Sequence, residues 1–270
     1  MPGIPLPLAR SFGETKRRDN WWLPPAAVFV GLSAFIVYST WAAFQGEHYT
    51  VPGTSYLSPF YSPELFAPKS DKIDTGHAWF GTVPDSWPGW LPYSPAFLIL
   101  WAPAGFRFTC YYYRGAYYKA FWADPPGCAV GEPRKGYIGE SNWPLRIQNI
   151  HRYFMYVAVL FIFMLAYDAM KAVIFADGIG IGVGTVVLTV NVILLAGYTF
   201  GCHSLRHILG GRKDCITESP TCQSLYTKCS ALNKRHALWA WMSLCSVMFA
   251  DVYVRLCSMG VWNDRHVILF

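Results

Sequence analysis

Five stretches of the chain are apolar for long enough to cross a bilayer, which takes about 20 mostly apolar residues in a helix. The first covers 21–44, with Pro24 and Pro25 near its start, where a missing N–H costs little. The second covers 95–122, through the run Phe97-Leu-Ile-Leu-Trp101, and Pro103 predicts a kink in it. The third covers 152–175, the fourth 181–209 and the fifth 220–262, the last long enough to project beyond the lipid. Between the third and fourth, Asp177-Gly-Ile-Gly-Ile-Gly predicts a short turn. The segment 46–92 is rich in Pro, Gly, Trp and Tyr and has no helical period, so it reads as a long non-helical loop. Such a loop is either a packed lid or a partner surface. The fold class expected is an all-α integral membrane protein. Residues 1–20 form a polar N-terminal segment and 21–270 a single transmembrane domain.

Composition strengthens this picture. Apolar residues make 53% of the chain and charged residues 14%, where soluble domains run nearer a quarter charged. Aromatics make 17%, as belts of Trp and Tyr at both lipid interfaces would require. No cleavable signal is evident, because the first apolar run begins only at Trp21 and further spans follow it.

Charge gives the orientation. With the N-terminus inside, five crossings put 17 of the 22 Lys and Arg residues on the inner side. The expected topology is therefore N-in and C-out, with 46–92 as the outer loop. The net charge of +6 then reflects loop asymmetry, and the basic residues line no single helix face as a nucleic-acid site would need.

The outer loop holds no cysteine, although the outer face is where disulfides would form. The cysteines gather inside instead, at Cys128, Cys202, Cys215, Cys222 and Cys229, where metal or redox chemistry is the commoner use. His203 and His207 are four apart and share a helix face. Cys222, Cys229 and His236 recur at sevens, which on one helix also gives a shared face. The candidate metal ligands are thus His203, His207, His236, Cys215, Cys222 and Cys229. Two histidines and two thiolates suit tetrahedral zinc or a Rieske-type [2Fe–2S] cluster. Haem b needs only two facing histidines, with His151 as one partner. A quinone needs an aromatic slot and donors for its carbonyls. His151, Arg152, Tyr156, Arg206, Trp239 and Trp241 lie near the inner interface and are the candidates, although an interfacial belt is the commoner role for each aromatic. Asp168 and Asp251 lie inside apolar spans, where an acid is costly. Asp251 is expected to pair with Arg255 at i, i+4, and Asp168 with Lys171.

These features together resemble the membrane-anchor subunit of an actinobacterial succinate dehydrogenase (respiratory complex II), of the mycobacterial kind. The resemblance rests on five spans, the inner His203, His207 and His236, and the cysteines from Cys202 to Cys229. The outer-loop runs His48-Tyr-Thr-Val-Pro-Gly and Tyr56-Leu-Ser-Pro-Phe-Tyr-Ser-Pro63 add to it. It implies a subunit of succinate:quinone oxidoreductase in the bacterial plasma membrane, with no dehydrogenase activity of its own. It further implies a Rieske-type [2Fe–2S] cluster that passes electrons to menaquinone or ubiquinone. The partners implied are flavoprotein and iron–sulfur subunits on the cytoplasmic side. The competing readings are a haem b anchor, and a zinc-binding transporter or structural membrane protein.

Overall fold

The computed structural model describes residues 11–69, 77–90, 92–134, 145–211 and 215–269. The chain divides into two compact units, one of residues 1–36 with 107–150 and one of residues 37–106 with 151–270.

Four helices among the described residues are long and apolar enough to cross a membrane. They are α1 (Leu23–Gln45), the helical run Arg146–Lys171 that contains α5 (His151–Lys171), α6 (Val183–Phe200) and α9 (His236–Ser258). The expected second span is instead a string of short pieces. These are α2 (Pro95–Ile99), α3 (Trp101–Thr109), α4 (Tyr111–Ala116) and a π-helical turn (Tyr117–Phe121). Pro103 falls in the first turn of α3, where its missing N–H is tolerated, and Cys110 is extended, which parts α3 from α4.

Two other expected helices are also divided. The fourth ends as α6 at Phe200 and resumes as α7 (His203–Gly210), with Gly201 and the extended Cys202 between them. The fifth is two helices, α8 (Pro220–Asn233) and α9, parted at Lys234 and Arg235. Asn233 sits at that break, and its side-chain N–H donates to the Gly201 carbonyl at 2.7 Å. The two breaks are thereby tied together.

The chain is mostly helical, as an all-α membrane protein should be, with one addition. A small antiparallel sheet of order β1-β2-β3 joins Ile174–Phe175, Gly178–Gly182 and His266–Ile268. The expected glycine turn is largely strand β2. A side chain at Gly180 would lie 2.5 Å from the Val267 carbonyl, so the close approach of β3 demands glycine there.

In the first unit, the N-terminal segment is stitched to residues 128–131. Gly13 N–H donates to Gly131 O at 3.0 Å, Thr15 Oγ1 to Ala129 O at 2.8 Å and Arg17 Nη1 to Cys128 O at 3.0 Å.

In the second unit, α6 packs on α5 and α9. The buried positions of α5, including His151, Met155, Ala158 and Ile162, form one helical stripe. Tyr153, Tyr156, Leu160, Phe163, Tyr167 and Met170 form the exposed stripe that lipid would cover. The loop after α1 is a packed lid over its first part: Tyr49, Tyr56, Ser58, Tyr61, Ser62 and Glu64 are all buried. Tyr61 donates to Ala42 O at 2.6 Å, Ser58 to Asp251 and Ser62 to Asp168.

Candidate functional site

The inner-side chemistry expected from sequence concentrates around the start of α5 and the Gly201–Cys202 break. His151 Nε2 lies 3.0 Å from Cys202 Sγ, and both side chains are buried. Cys202 caps α7, its sulfur accepting from Ser204 N–H at 3.4 Å. Cys229, on α8, points its thiol at the same break: Sγ donates to Phe200 O at 3.1 Å and lies 3.9 Å from Cys202 O. Burial pushes the Cys229 thiol up from its ordinary value.

Aromatic stacking fixes the two imidazoles of this region. Phe106 lies face to face with His151, centroids 4.7 Å apart and planes 7° apart. Tyr198 stacks on His236 at 5.0 Å and meets Phe106 edge-on at 5.3 Å. Phe106 and Tyr198 thus bridge the two histidines in a chain of four rings.

The other candidate ligands lie elsewhere. His203 and His207 share α7 as expected, but both are exposed, and His207 Nδ1 is 3.1 Å from Arg152 Nη2. Cys215 is exposed, its sulfur 2.8 Å from the Thr217 hydroxyl, which lowers its pKa. Cys222 is half-buried on α8. The shared face expected for Cys222, Cys229 and His236 requires one continuous helix, and the break at Lys234–Arg235 puts His236 on a different one.

Of the quinone candidates, His151 is the buried one. Arg152 and Tyr156 are exposed, and Tyr156 lies on the lipid-facing stripe of α5. Arg206 reaches Tyr226, with Nε and Nη2 donating to its hydroxyl at 3.1 and 2.9 Å. Trp239 and Trp241 are half-buried, and Trp239 lies over Gly197, where a side chain would sit 2.5 Å from the indole.

This arrangement can be set beside known proteins. Residues 23–260 match the family of the actinobacterial succinate dehydrogenase subunit SdhC. The chain belongs to that family. A chain of the Mycobacterium smegmatis Sdh1 complex in the apo form is 41% identical to it, with a TM-score of 0.86 and 99% of each chain covered. Comparison with curated proteins gives no match. As an SdhC-family chain it is a multi-pass membrane-anchor subunit of succinate dehydrogenase in the bacterial plasma membrane, assembled with the other subunits of that enzyme. Membership replaces the transporter reading.

Two imidazoles and two thiols are the donor chemistry of a Rieske-type cluster as well as of zinc. In this SdhC chain one imidazole and one thiol, His151 and Cys202, meet at 3.0 Å. Among the described residues, no three His, Cys, Asp or Glu side chains are grouped to hold a metal ion.

Cys202 belongs to the inner cysteine set legible in the sequence, whereas Phe106 and Tyr198 carry no pattern there that marks them. The position of Cys202 directly after Gly201, at a helix break beside two histidines, was the available signal.

Proposed function

We propose that this subunit relays electrons from the peripheral subunits of succinate dehydrogenase to a membrane quinone through a centre at His151, Cys202, Cys229 and His236. The observation that carries this reading is the buried 3.0 Å approach of His151 Nε2 to Cys202 Sγ; Cys229 reaches the backbone of the same break, and His236 is linked to His151 through the Tyr198 and Phe106 rings. These four supply two nitrogens and two sulfurs, the ligand set of a Rieske-type [2Fe–2S] cluster. When bound, such a cluster supplies a one-electron carrier. The protein's part is to orient the imidazoles by stacking, bury the donors and exclude water. The quinone is placed at this same end, with His151, Arg152, Tyr156, Arg206, Trp239 and Trp241 as its candidate contacts. Basic residues of the connections flanking α5 and α8 offer flavoprotein and iron–sulfur subunits a docking face.

Five crossings with N-in and C-out belong to the same proposal. Tyr38 donates to Asp251 at 2.6 Å and Arg255 lies 5.1 Å over the Trp41 ring, so α1 runs parallel to α9. Ala169, Ala172 and Phe175 share a cluster with Ala250 and Val254, so α5 runs the same way. The chain must then return across the bilayer between α1 and α5. Segment 95–121 supports that return: a side chain at Gly46 would lie 3.1 Å from Tyr93 O, while Phe106 stacks on His151 at the other end.

The competing centre is haem b held by His151 and His236, the two histidines linked by the Phe106 and Tyr198 rings. The test is the purified complex with Cys202→Ser or His151→Ala against Cys215→Ser or His203→Ala. Iron and acid-labile sulfide content, together with the electron paramagnetic resonance signal of the anchor, should fall in the first pair and persist in the second. Retention of the cluster in Cys202→Ser overturns the ligand set, and a b-type haem band in the optical spectrum overturns the cluster.

A further inference from the structure

Asn191 is the ninth of the 18 residues of α6, an otherwise apolar helix apart from its hydroxyl groups. It is 1% exposed, and neither its side-chain nitrogen nor its oxygen has a hydrogen-bond partner among the described residues. An amide in that state is costly, because no bulk water reaches mid-bundle and lipid offers no hydrogen bonds. The position is fixed from both sides. Toward one end of α6, Gly197 lies against Trp239 of α9, and toward the other, Leu188 shares a core cluster with Ala250 and Val254. That antiparallel register brings the middle of α9 opposite Asn191. Ser243, fully buried, lies there, its hydroxyl donating to Ala240 O at 3.3 Å.

We propose that Asn191 binds water inside the bundle. The chemistry selects water over other occupants. The amide presents donors and an acceptor together. A quinone carbonyl answers only the donors, and a cation only the acceptor. Water answers both, and it can also donate to the Ser243 oxygen. Two turns from Asn191 on the same face is Tyr198, packed on His236, and two turns the other way Gly184 lies beneath the Tyr56 ring. The water is therefore a hydrogen-bonding foothold at mid-depth, between the ring chain around His151 and the loop network around Asp251.

Hydroxyl-radical footprinting of the whole complex by a short X-ray pulse tests this, because radicals formed from a bound water label side chains that bulk radicals cannot reach. Leu188, 5% exposed and three residues from Asn191, is the reporter. In the wild-type complex Leu188 should be labelled despite its burial. In Asn191→Leu that label should drop several-fold, while labelling of exposed Trp22 stays unchanged. If the leucine variant does not assemble, Asn191→Met, apolar and flexible, takes its place. An unlabelled Leu188 in the wild type overturns the proposal, and so does equal labelling in the apolar variant.

Discussion

At the scale of single residues, two cysteines separate cleanly. Cys215 is exposed, and its hydrogen bond with Thr217 holds its thiol below the ordinary range, whereas burial raises that of Cys229. Only the thiolate attacks an alkylating reagent. At any one pH near neutrality Cys215 therefore carries the larger thiolate fraction as well as the easier access. Iodoacetamide treatment of the purified complex, followed by mass spectrometry, should modify Cys215 well before Cys229. Comparable rates would contradict both the burial and the hydrogen bond. The sevenfold spacing made Cys222, Cys229 and His236 look equivalent. Their surroundings differ because the spacing holds only while the helix is unbroken, and nothing in Asn233-Lys-Arg235 announces a break as a Pro or Gly would.

At the scale of elements, the loop after α1 is held by carboxylates buried in the apolar helices. Asp251 accepts from Tyr38, Ser58 and Arg255, the last at 3.4 Å, and Arg255 also donates to Glu47 O at 3.0 Å. Asp168 accepts from Ser62 and also lies within reach of the charge of the expected partner Lys171. Beside them Tyr49 stacks on Tyr61 at 4.3 Å and donates to Glu64 at 2.8 Å. Burial first, and the Glu64 charge second, raise the Tyr49 phenol well above its ordinary value and push Tyr93 up to about 12. The loop's phenols are thus fixed as hydrogen-bond donors. Removing one partner of a buried ion pair leaves the other charge uncompensated, which costs about 3–5 kcal/mol. Arg255→Leu should accordingly lower the melting temperature of the complex markedly and expose the loop to protease. Ser62→Ala, which removes one hydrogen bond to a buried carboxylate, should cost about 1–3 kcal/mol. A loop equally protease-resistant in Arg255→Leu would refute the latch. The Asp251–Arg255 pair was legible as an i, i+4 spacing. Its hydroxyl partners were not, because Ser58 and Ser62 lie some 190 and 106 residues away from the acids in the chain, and no periodicity reports a contact at that separation.

At the scale of the whole molecule, the question is whether the broken segment 95–121 crosses the bilayer. Hydropathy gave that segment full weight as a span. Its local chemistry made it pieces, since Pro103, the extended Cys110 and the tyrosine run each interrupt a regular helix. The two topologies differ in one place. Four crossings with the C-terminus outside would put the N-terminus outside too, leaving 15 of 22 Lys and Arg inside, against 17 with five crossings. That margin is narrow, so charge alone separates them weakly, whereas helix direction separates them strongly. α1, α5 and α9 are parallel, with the lid from Tyr49 to Glu64 at their C-terminal ends. A chain that leaves α1 at the lid and enters α5 beside His151 has to cross in between. In-frame reporters decide it: alkaline phosphatase, active only outside, and green fluorescent protein, fluorescent only inside, each fused to either end. Five crossings require fluorescence from the N-terminal fusion and phosphatase activity from the C-terminal one. Phosphatase activity at both ends would place the N-terminus outside and reduce the crossings to four.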